Sequence, residues 1–169
     1  MALTSSLSIA ASAELSTALD LTTGRAPLQV RRSVSLASGT GVGQADKVFS
    51  DRRTLAASAS EDLDLAGVLL DAFGATITFA RVKGIIVSAA AGNTNSVVIG
   101  AASSNPWATL LNATGTLTLR PGDAFSAHAG QANATAWAVA AGTGDLLKVA
   151  NSGAGTPVTY DVVIIGASA

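Results

Sequence analysis

Hydrophobic and polar residues alternate along much of the chain. In the stretch LSIA, Leu7 and Ile9 lie on one side and serines on the other. In QVRRSVSL, Val30, Val34 and Leu36 repeat the pattern, which recurs in TLTL, TAWAVA and PVTYDVVII. Alternation of this kind over four to eight residues is typical of a β-strand with one buried face. The pattern therefore predicts many half-buried strands.

Clusters of Gly, Asn and Pro separate these strands. They include GTGVGQ, AAGNTNS, RPGD and NSGAGT, and they recur at roughly the 8–12-residue spacing of antiparallel sandwiches and barrels. The best helical candidate, AGVLLDAFG, contains Gly67 and Gly74 and has room for one or two turns. We predict an all-β fold, an antiparallel β-sandwich of jelly-roll type with eight or more strands.

The chain divides near residue 45. Residues 1–45 are lower in charge and form a predicted extended N-terminal arm with the first strands, suited to pairing with a neighbouring subunit. Residues 46–169 form the predicted sandwich domain. Strict alternation along ITFARVKG would point Arg81 and Lys83 into the core. We therefore predict a bulge near Gly84, the alternative being two cations that face a partner.

The composition is unusual for a soluble protein. Hydrophobic residues make up 49% of the chain and charged residues only 12%, against roughly 25% charged residues in an average domain. Much of the surface must then be Ala, Ser, Thr and Gly, which suits a protein covered by copies of itself or by partners. The net charge of −1 is not the footprint of a nucleic-acid-binding protein. The chain has no cysteine, so disulfides and thiolate catalysis are excluded.

No membrane or export segment is expected. The N-terminal stretch has no basic residue before Arg25, unlike a secretory signal. The most apolar stretch, GVLLDAFGATITFARVKGIIVSAAAG, is interrupted by Asp71, Arg81 and Lys83 and is not suited to span a bilayer as a helix.

The stretch SASEDLDLAG concentrates carboxylates. On a strand, Asp62 and Asp64 share one face and Leu63 and Leu65 the other, which predicts a wet strand face. Acid/base catalysis would require one carboxylate in an apolar pocket, and two neighbours on one face are solvated alike. A metal-stabilised loop is the alternative, although no EF-hand spacing is present.

Other candidates for chemistry are sparse. His128 is the one histidine, too few for a cupin-like metal site, and we place it at a surface or at a subunit contact. Neither a nucleophile elbow nor a P-loop occurs, so the glycine-rich GTGVG and GTGD are predicted to be loops. We predict no enzymatic activity, no cofactor and no metal.

Candidate interface residues are few. Arg52 and Arg53 in DRR favour an inter-strand or inter-subunit ion pair. Trp137 lies between small residues, as a core or interface anchor does. Trp107 follows Asn105-Pro106 in a turn and is the better exposed candidate, suited to stacking on a sugar ring. The predicted intersubunit residues are Leu7, Ile9, Arg52, Arg53 and Trp107.

Three segments, DKVFSDRRTLAASASEDLDLAG, DAFGATITFARVKGIIVSAAAGNTNSVVIG and GDLLKVANSGAGTPVTYDVVIIGAS, resemble parts of small virion structural proteins of tailed bacteriophages. The resemblance runs from about Asp46 to the C-terminus, and it carries no active-site signature. It implies a particle component, since decoration or cement proteins of such capsids are often small β-sandwich or jelly-roll trimers.

The expected function is therefore non-enzymatic. We expect a capsid decoration protein that oligomerises, with a homotrimer favoured, and that stabilises the lattice of the major capsid protein. It would be made in the host cytoplasm and reside on the capsid surface, with neither nucleic acid nor membrane as a partner. The alternative is a tail or fibre component that recognises host glycans through Trp107.

Overall fold

The computed structural model describes residues 2–169 and is dominated by β-strands. Within these residues the elements are β1 (Ser5–Ala18), β2 (Thr23–Ser38), β3 (Gln44–Ala45), β4 (Lys47–Leu55), β5 (Ser60–Asp64), β6 (Arg81–Ala89), β7 (Val97–Gly100), α1 (Ala108–Leu111), β8 (Thr116–Leu119), β9 (Ala124–His128), β10 (Trp137–Ala138), β11 (Leu146–Asn151) and β12 (Val158–Ala167).

Two antiparallel sheets pack face to face. The first has the order β4-β12-β6, with β9 and β10 both paired to the far edge of β6. The second has the order β5-β11-β7-β8. The predicted all-β sandwich is confirmed. Its jelly-roll type and the intersubunit role of an N-terminal arm stay predictions.

The core lies between the two sheets and follows the alternation of the sequence. On β12, the residues from Val158 to Ile164 at every second position are almost fully buried. They meet the inward residues of the second sheet, such as Ile99 and Val149. Burial of these apolar and aromatic side chains is the main favourable contribution to folding.

The first two strands form a long hairpin outside the sandwich. β1 pairs with β2 in unbroken register from Ser5↔Leu36 to Ala18↔Thr23. The base of the hairpin forms a second, small core on the outer face of the first sheet, built from Leu7, Val34, Leu36, Ala45 and Ile165.

The bulge predicted near Gly84 is confirmed. Ile165 pairs with Gly84, whereas the next residue, Gly166, pairs with Val82, so Lys83 is the extra residue. Lys83 is nonetheless buried, and its Nζ donates a hydrogen bond of 2.9 Å to the Gly41 carbonyl. Burial lowers the pKa of Lys83 because it penalises the charged form.

The helical turn considered between Gly67 and Gly74 is not formed. That segment is a turn closed by a bridge between Leu70 and Thr76, and Asp71 Oδ1 accepts the backbone N–H groups of Phe73 and Ala75. An aspartate that satisfies local amides favours a turn over a helix, which explains the difference.

Candidate interaction surfaces

The hairpin has one apolar face and one polar face. Residues opposite each other in an antiparallel pair point to the same side. Leu7 and Val34 are opposite each other and buried, so the stripe beyond them lies on the same face. We call these exposed residues the apolar stripe: Ile9, Ala11, Ala13, Leu15, Ala26, Leu28 and Val30.

The apolar stripe is open to solvent. Leu15 is 77% exposed, Leu28 54% and Ile9 44%. Arg32, opposite Ile9, places one guanidinium beside the stripe. The reverse face carries serines together with Glu14 and Arg25, whose ion pair of 2.7 Å joins the two strands.

The length of the hairpin makes this exposure significant. From Ile9 to Ala18 each strand extends about 30 Å beyond the buried base at the usual rise per residue. A two-stranded hairpin is at best marginally stable in water. Contiguous exposed apolar surface of this kind marks an interaction site or an aggregation hazard.

A groove lies at one open edge of the sandwich, between β4 and the turn segment 66–72. Its volume is about 420 Å³. We call it the acidic groove, and its lining includes Phe49, Asp51, Asp62, Val68, Leu70 and Asp71. Val68 and Leu70 are 66% and 52% exposed, and the nearby Phe73 is exposed as well.

A hydrogen-bonded ionic network borders this groove. Arg53 Nε donates to Glu61 Oε2 at 2.7 Å, and Arg53 Nη1 donates to Asp51 Oδ2 at 2.9 Å. The buried Tyr160 hydroxyl donates to Glu61 Oε1 at 2.8 Å.

The network shifts the pKa values of its members. Burial, together with the carboxylate of Glu61, raises the pKa of Tyr160. The hydrogen bond to Glu61 raises the pKa of Arg53. Each charged group meets an opposite charge, as in a structural network.

Arg52 forms the inter-strand pair predicted for the DRR motif. Its Nε and Nη2 donate to the two oxygens of Asp161 on β12, at 2.6 and 2.8 Å. The Arg52 hydrogen bond lowers the pKa of Asp161. Both side chains are exposed, so the pair contributes little to stability.

The aspartates and leucines of SASEDLDLAG lie on opposite faces, as predicted. Leu63 and Leu65 are buried and Asp62 is exposed. Asp64 Oδ1 accepts the Ala66 N–H at 2.8 Å, an arrangement typical of a turn. Glu61 meets Arg53 within the same chain, which is the inter-strand form of the ion pair predicted for the DRR motif.

The interpretation of Trp107 as an exposed platform is wrong. Its side chain is 4% exposed, and its Nε1 donates to the Ala138 carbonyl at 2.9 Å. The turn after Pro106 directs the ring into the core, where the indole N–H is satisfied. Trp137 packs against the main core, as predicted.

His128, predicted to lie at a surface or at a subunit contact, is on β9 opposite Gly84 and is half-buried. Both of its ring nitrogens are buried, and neither has a hydrogen-bond partner within the described chain. The two NAT loops form the same turn, a likeness that the predicted turn clusters did not specify. Asn112 Oδ1 accepts the N–H groups two and three residues later, and so does Asn133 Oδ1. The signal was the repeated Asn-x-Thr tripeptide, since Asn side chains often bond to nearby backbone amides.

Within residues 2–169, His, Asp and Glu nowhere gather in a group of three that could hold a metal ion. Over the same residues, no helix has the length and hydropathy needed to cross a membrane. The chain matches no protein-family model, no curated protein and no solved structure.

Proposed function

We propose that this protein is a non-enzymatic structural component of a tailed-phage virion, a capsid decoration protein that oligomerises and stabilises the capsid lattice. The single observation that carries the proposal is the hairpin with its exposed apolar stripe. A free monomer gains nothing from such a surface, whereas an assembly covers it.

The way the hairpin is held supports an assembly role. Its base is fixed to the sandwich through Leu7, Val34 and Leu36, so the protruding part has a defined origin and direction. A rigidly rooted strand pair orders fewer residues on binding than a loose arm would, which favours affinity.

The strand order is compatible with the jelly-roll type that we propose. Setting the short β10 aside, β4, β6, β9 and β12 lie in one sheet, and β5, β7, β8 and β11 in the other. Two four-stranded sheets linked in this alternating manner are expected of a double-sheet jelly roll. This agrees with the decoration proteins that the sequence resembles.

The low charge of the chain also supports a covered particle component. Several of its few charges are used in pairs within the chain, such as Arg52–Asp161 and Arg53–Glu61. Modest contacts repeated over a lattice give avidity, which would stabilise a capsid without one strong contact. A homotrimer on the major capsid protein is the arrangement we propose.

The glycan-binding alternative has lost its main residue, because Trp107 is buried and its indole N–H is bonded. The ionic network beside the acidic groove is likewise satisfied internally and offers poor material for acid/base catalysis.

Two measurements test the proposal. Light scattering gives the mass in solution, and co-sedimentation tests binding to capsids that lack this protein. We expect an oligomer that sediments with the capsids. A monomer that stays in the supernatant would overturn the proposal, and saturable binding on a glycan array without capsid binding would favour the tail or fibre module.

A further inference from the structure

We propose that the apolar stripe of one copy docks in the acidic groove of a second copy. This inference rests on the self-association part of the proposed function and names its contact surfaces. The occupant of the groove is thus a hairpin of the same protein, with Arg32 directed toward the carboxylates of the groove.

The stripe offers apolar surface next to a positive charge. Ala13 and Leu28 form a pair far from the buried base, and Leu15 at the outer end of the stripe is 77% exposed. Arg32 Nη1 donates to the Arg31 carbonyl at 3.2 Å and forms no ion pair within residues 2–169. The guanidinium therefore keeps donors available for a carboxylate of another molecule.

The acidic groove offers apolar surface next to negative charge, which complements the apolar stripe and its cation. Val68 and Leu70 are exposed apolar side chains on one wall, and three carboxylates share the lining with Arg53. Arg53 is already paired with Asp51 and Glu61.

The other two carboxylates of the lining, Asp62 and Asp71, form no ion pair within the described residues. Lys148 is opposite Asp62 on β11 but makes no ion pair with it. The apolar stripe with Arg32 therefore complements the groove, which combines an apolar wall with the carboxylates of Asp62 and Asp71. Such complementarity is expected of a specific contact.

The backbone at the groove is also available. Within the described chain, β4 pairs with β12 alone, so its groove-side edge has unpaired backbone groups. The outer edge of β1 is unpaired as well, because β1 pairs with β2 alone among residues 2–169. Adding a strand to such an edge is a common way for a protein to bind an extended segment.

A contact between two different surfaces has a consequence for symmetry. Each copy gives one hairpin and receives another, so the contact is either reciprocal in a two-fold dimer or head-to-tail, in which case it closes into a ring or continues as a filament. Closure into a ring of three agrees with the proposed trimer. The main alternative arrangement is the packing of two hairpins through their apolar stripes. That arrangement would leave Arg32 without an anion and the acidic groove unoccupied.

Cysteine cross-linking separates these arrangements, because the chain has no cysteine of its own. One variant carries Leu28→Cys and a second carries Leu70→Cys, with different affinity tags. Both positions are more than half exposed, so folding should be kept. We expect an intermolecular disulfide when the two variants are co-expressed and oxidised, and none when either variant is oxidised alone. A disulfide in Leu28→Cys alone would establish stripe-on-stripe packing and overturn the inference.

A matched pair of charge substitutions gives an independent test. Leu28→Asp places a carboxylate on the stripe, whereas Gln29→Asp places it on the opposite face one residue later. Because burying an unpaired charge is unfavourable, we expect Leu28→Asp to weaken self-association at least ~tenfold by light scattering, and Gln29→Asp to leave it unchanged. Equal effects of the two variants would contradict docking through the stripe.

The failure of this inference is distinguishable from the failure of the proposed function. Capsid co-sedimentation without a Leu28–Leu70 cross-link would reject the hairpin-to-groove contact and keep the decoration role. The cross-link without capsid binding would keep the contact and reject the decoration role.

Discussion

The side chain of Leu7 lies directly on the backbone of Gly84. A Cβ built at position 84 would come within 2.5 Å of Leu7 Cδ2 and 2.9 Å of Leu7 Cδ1. Leu7 is 5% exposed, and this contact joins the hairpin to the outer face of the first sheet next to the bulge at Lys83. The absence of a side chain at position 84 therefore lets the hairpin base lie flat on the sheet.

We expect Gly84→Ala to loosen the hairpin base. The new methyl group displaces Leu7, and overpacking of this kind costs about 1–3 kcal/mol. The effect should appear as a lower free energy of unfolding in urea and as faster proteolysis within residues 1–40. Gly92→Ala is the matched control, since a Cβ there meets no atom of the described residues within 4 Å.

A double-mutant cycle checks the cause. Leu7→Ala removes the side chain that the new methyl would meet, so Leu7→Ala with Gly84→Ala should cost less than the sum of the two single changes. If the changes in the free energy of unfolding were additive, the cost of Gly84→Ala would not come from contact with Leu7.

Alternation in the sequence was sufficient to predict the sandwich. The period of two in PVTYDVVII specifies the buried side of β12, and the interrupted alternation at Arg81 and Lys83 specified a bulge. These features are local, because the side-chain direction of a strand follows from its own pattern. The division of Asp62 and Leu63 between two faces followed for the same reason.

Features that depend on distant packing could not be predicted. Trp107 follows the dipeptide Asn105-Pro106, which is typical of an exposed turn, yet its indole N–H donates to the carbonyl of Ala138, 31 residues away. Leu7 and Ile9 have the same local pattern, but Leu7 meets Gly84 and Ile9 meets solvent. Which part of an alternating strand is covered depends on where the sheet beneath it ends.

Tyr160 gives a testable dependence of stability on pH. Its hydroxyl is held by Glu61 in a buried site, and its pKa lies above the ordinary value of about 10. The unfolded chain therefore releases this proton near pH ~10, and the folded chain does so only at higher pH. The contribution of Tyr160 to the free energy of unfolding is therefore complete below pH ~10. It is lost as the pH rises from there through the higher pKa of the folded state.

We expect Tyr160→Phe to abolish the part of the alkaline loss of stability that comes from Tyr160. At neutral pH the variant should be less stable by about 1–2 kcal/mol, since one hydrogen bond to a charged acceptor is absent. As the pH rises above ~10 the difference should shrink. Lys83, with its lowered pKa, acts in the opposite direction, but it is present in both proteins and cancels in the comparison.

Urea unfolding of both proteins between neutral and alkaline pH measures this difference. Tyr160 is the one tyrosine of the chain, so phenolate absorbance of the wild-type protein reports its titration directly. A phenolate signal that appears at the ordinary pKa while the protein remains folded would contradict a buried, hydrogen-bonded Tyr160.

The burial of Trp107 predicts its fluorescence. In a Trp137→Phe variant the remaining emission comes from Trp107, and we expect it to be blue-shifted and poorly quenched by acrylamide. In a Trp107→Phe variant the emission of the half-buried Trp137 should be quenched more readily. Loss of the indole hydrogen bond should also make Trp107→Phe less stable by about 1–3 kcal/mol. Strong quenching of Trp107 by acrylamide would show that its side chain is exposed and would support its interpretation as a platform for a sugar ring.

The two NAT turns offer a matched comparison of one side-chain function. Asn112 and Asn133 each accept two backbone N–H groups through Oδ1, but Asn112 also has φ 59° and ψ 177°, a region that glycine occupies far more readily than other residues. We expect Asn133→Ala to cost about 1 kcal/mol for the lost hydrogen bonds. Asn112→Ala should cost about 2 kcal/mol, because alanine also tolerates this backbone conformation poorly.

Asn112→Gly separates the two contributions, since glycine loses the hydrogen bonds but adopts the backbone conformation freely. Its cost, measured by urea unfolding, should fall below that of Asn112→Ala. At Asn133, where φ is not positive, Gly should be no better than Ala. If glycine and alanine proved equal at position 112, the backbone conformation would play no part, and the two turns would differ only in where they lie in the fold.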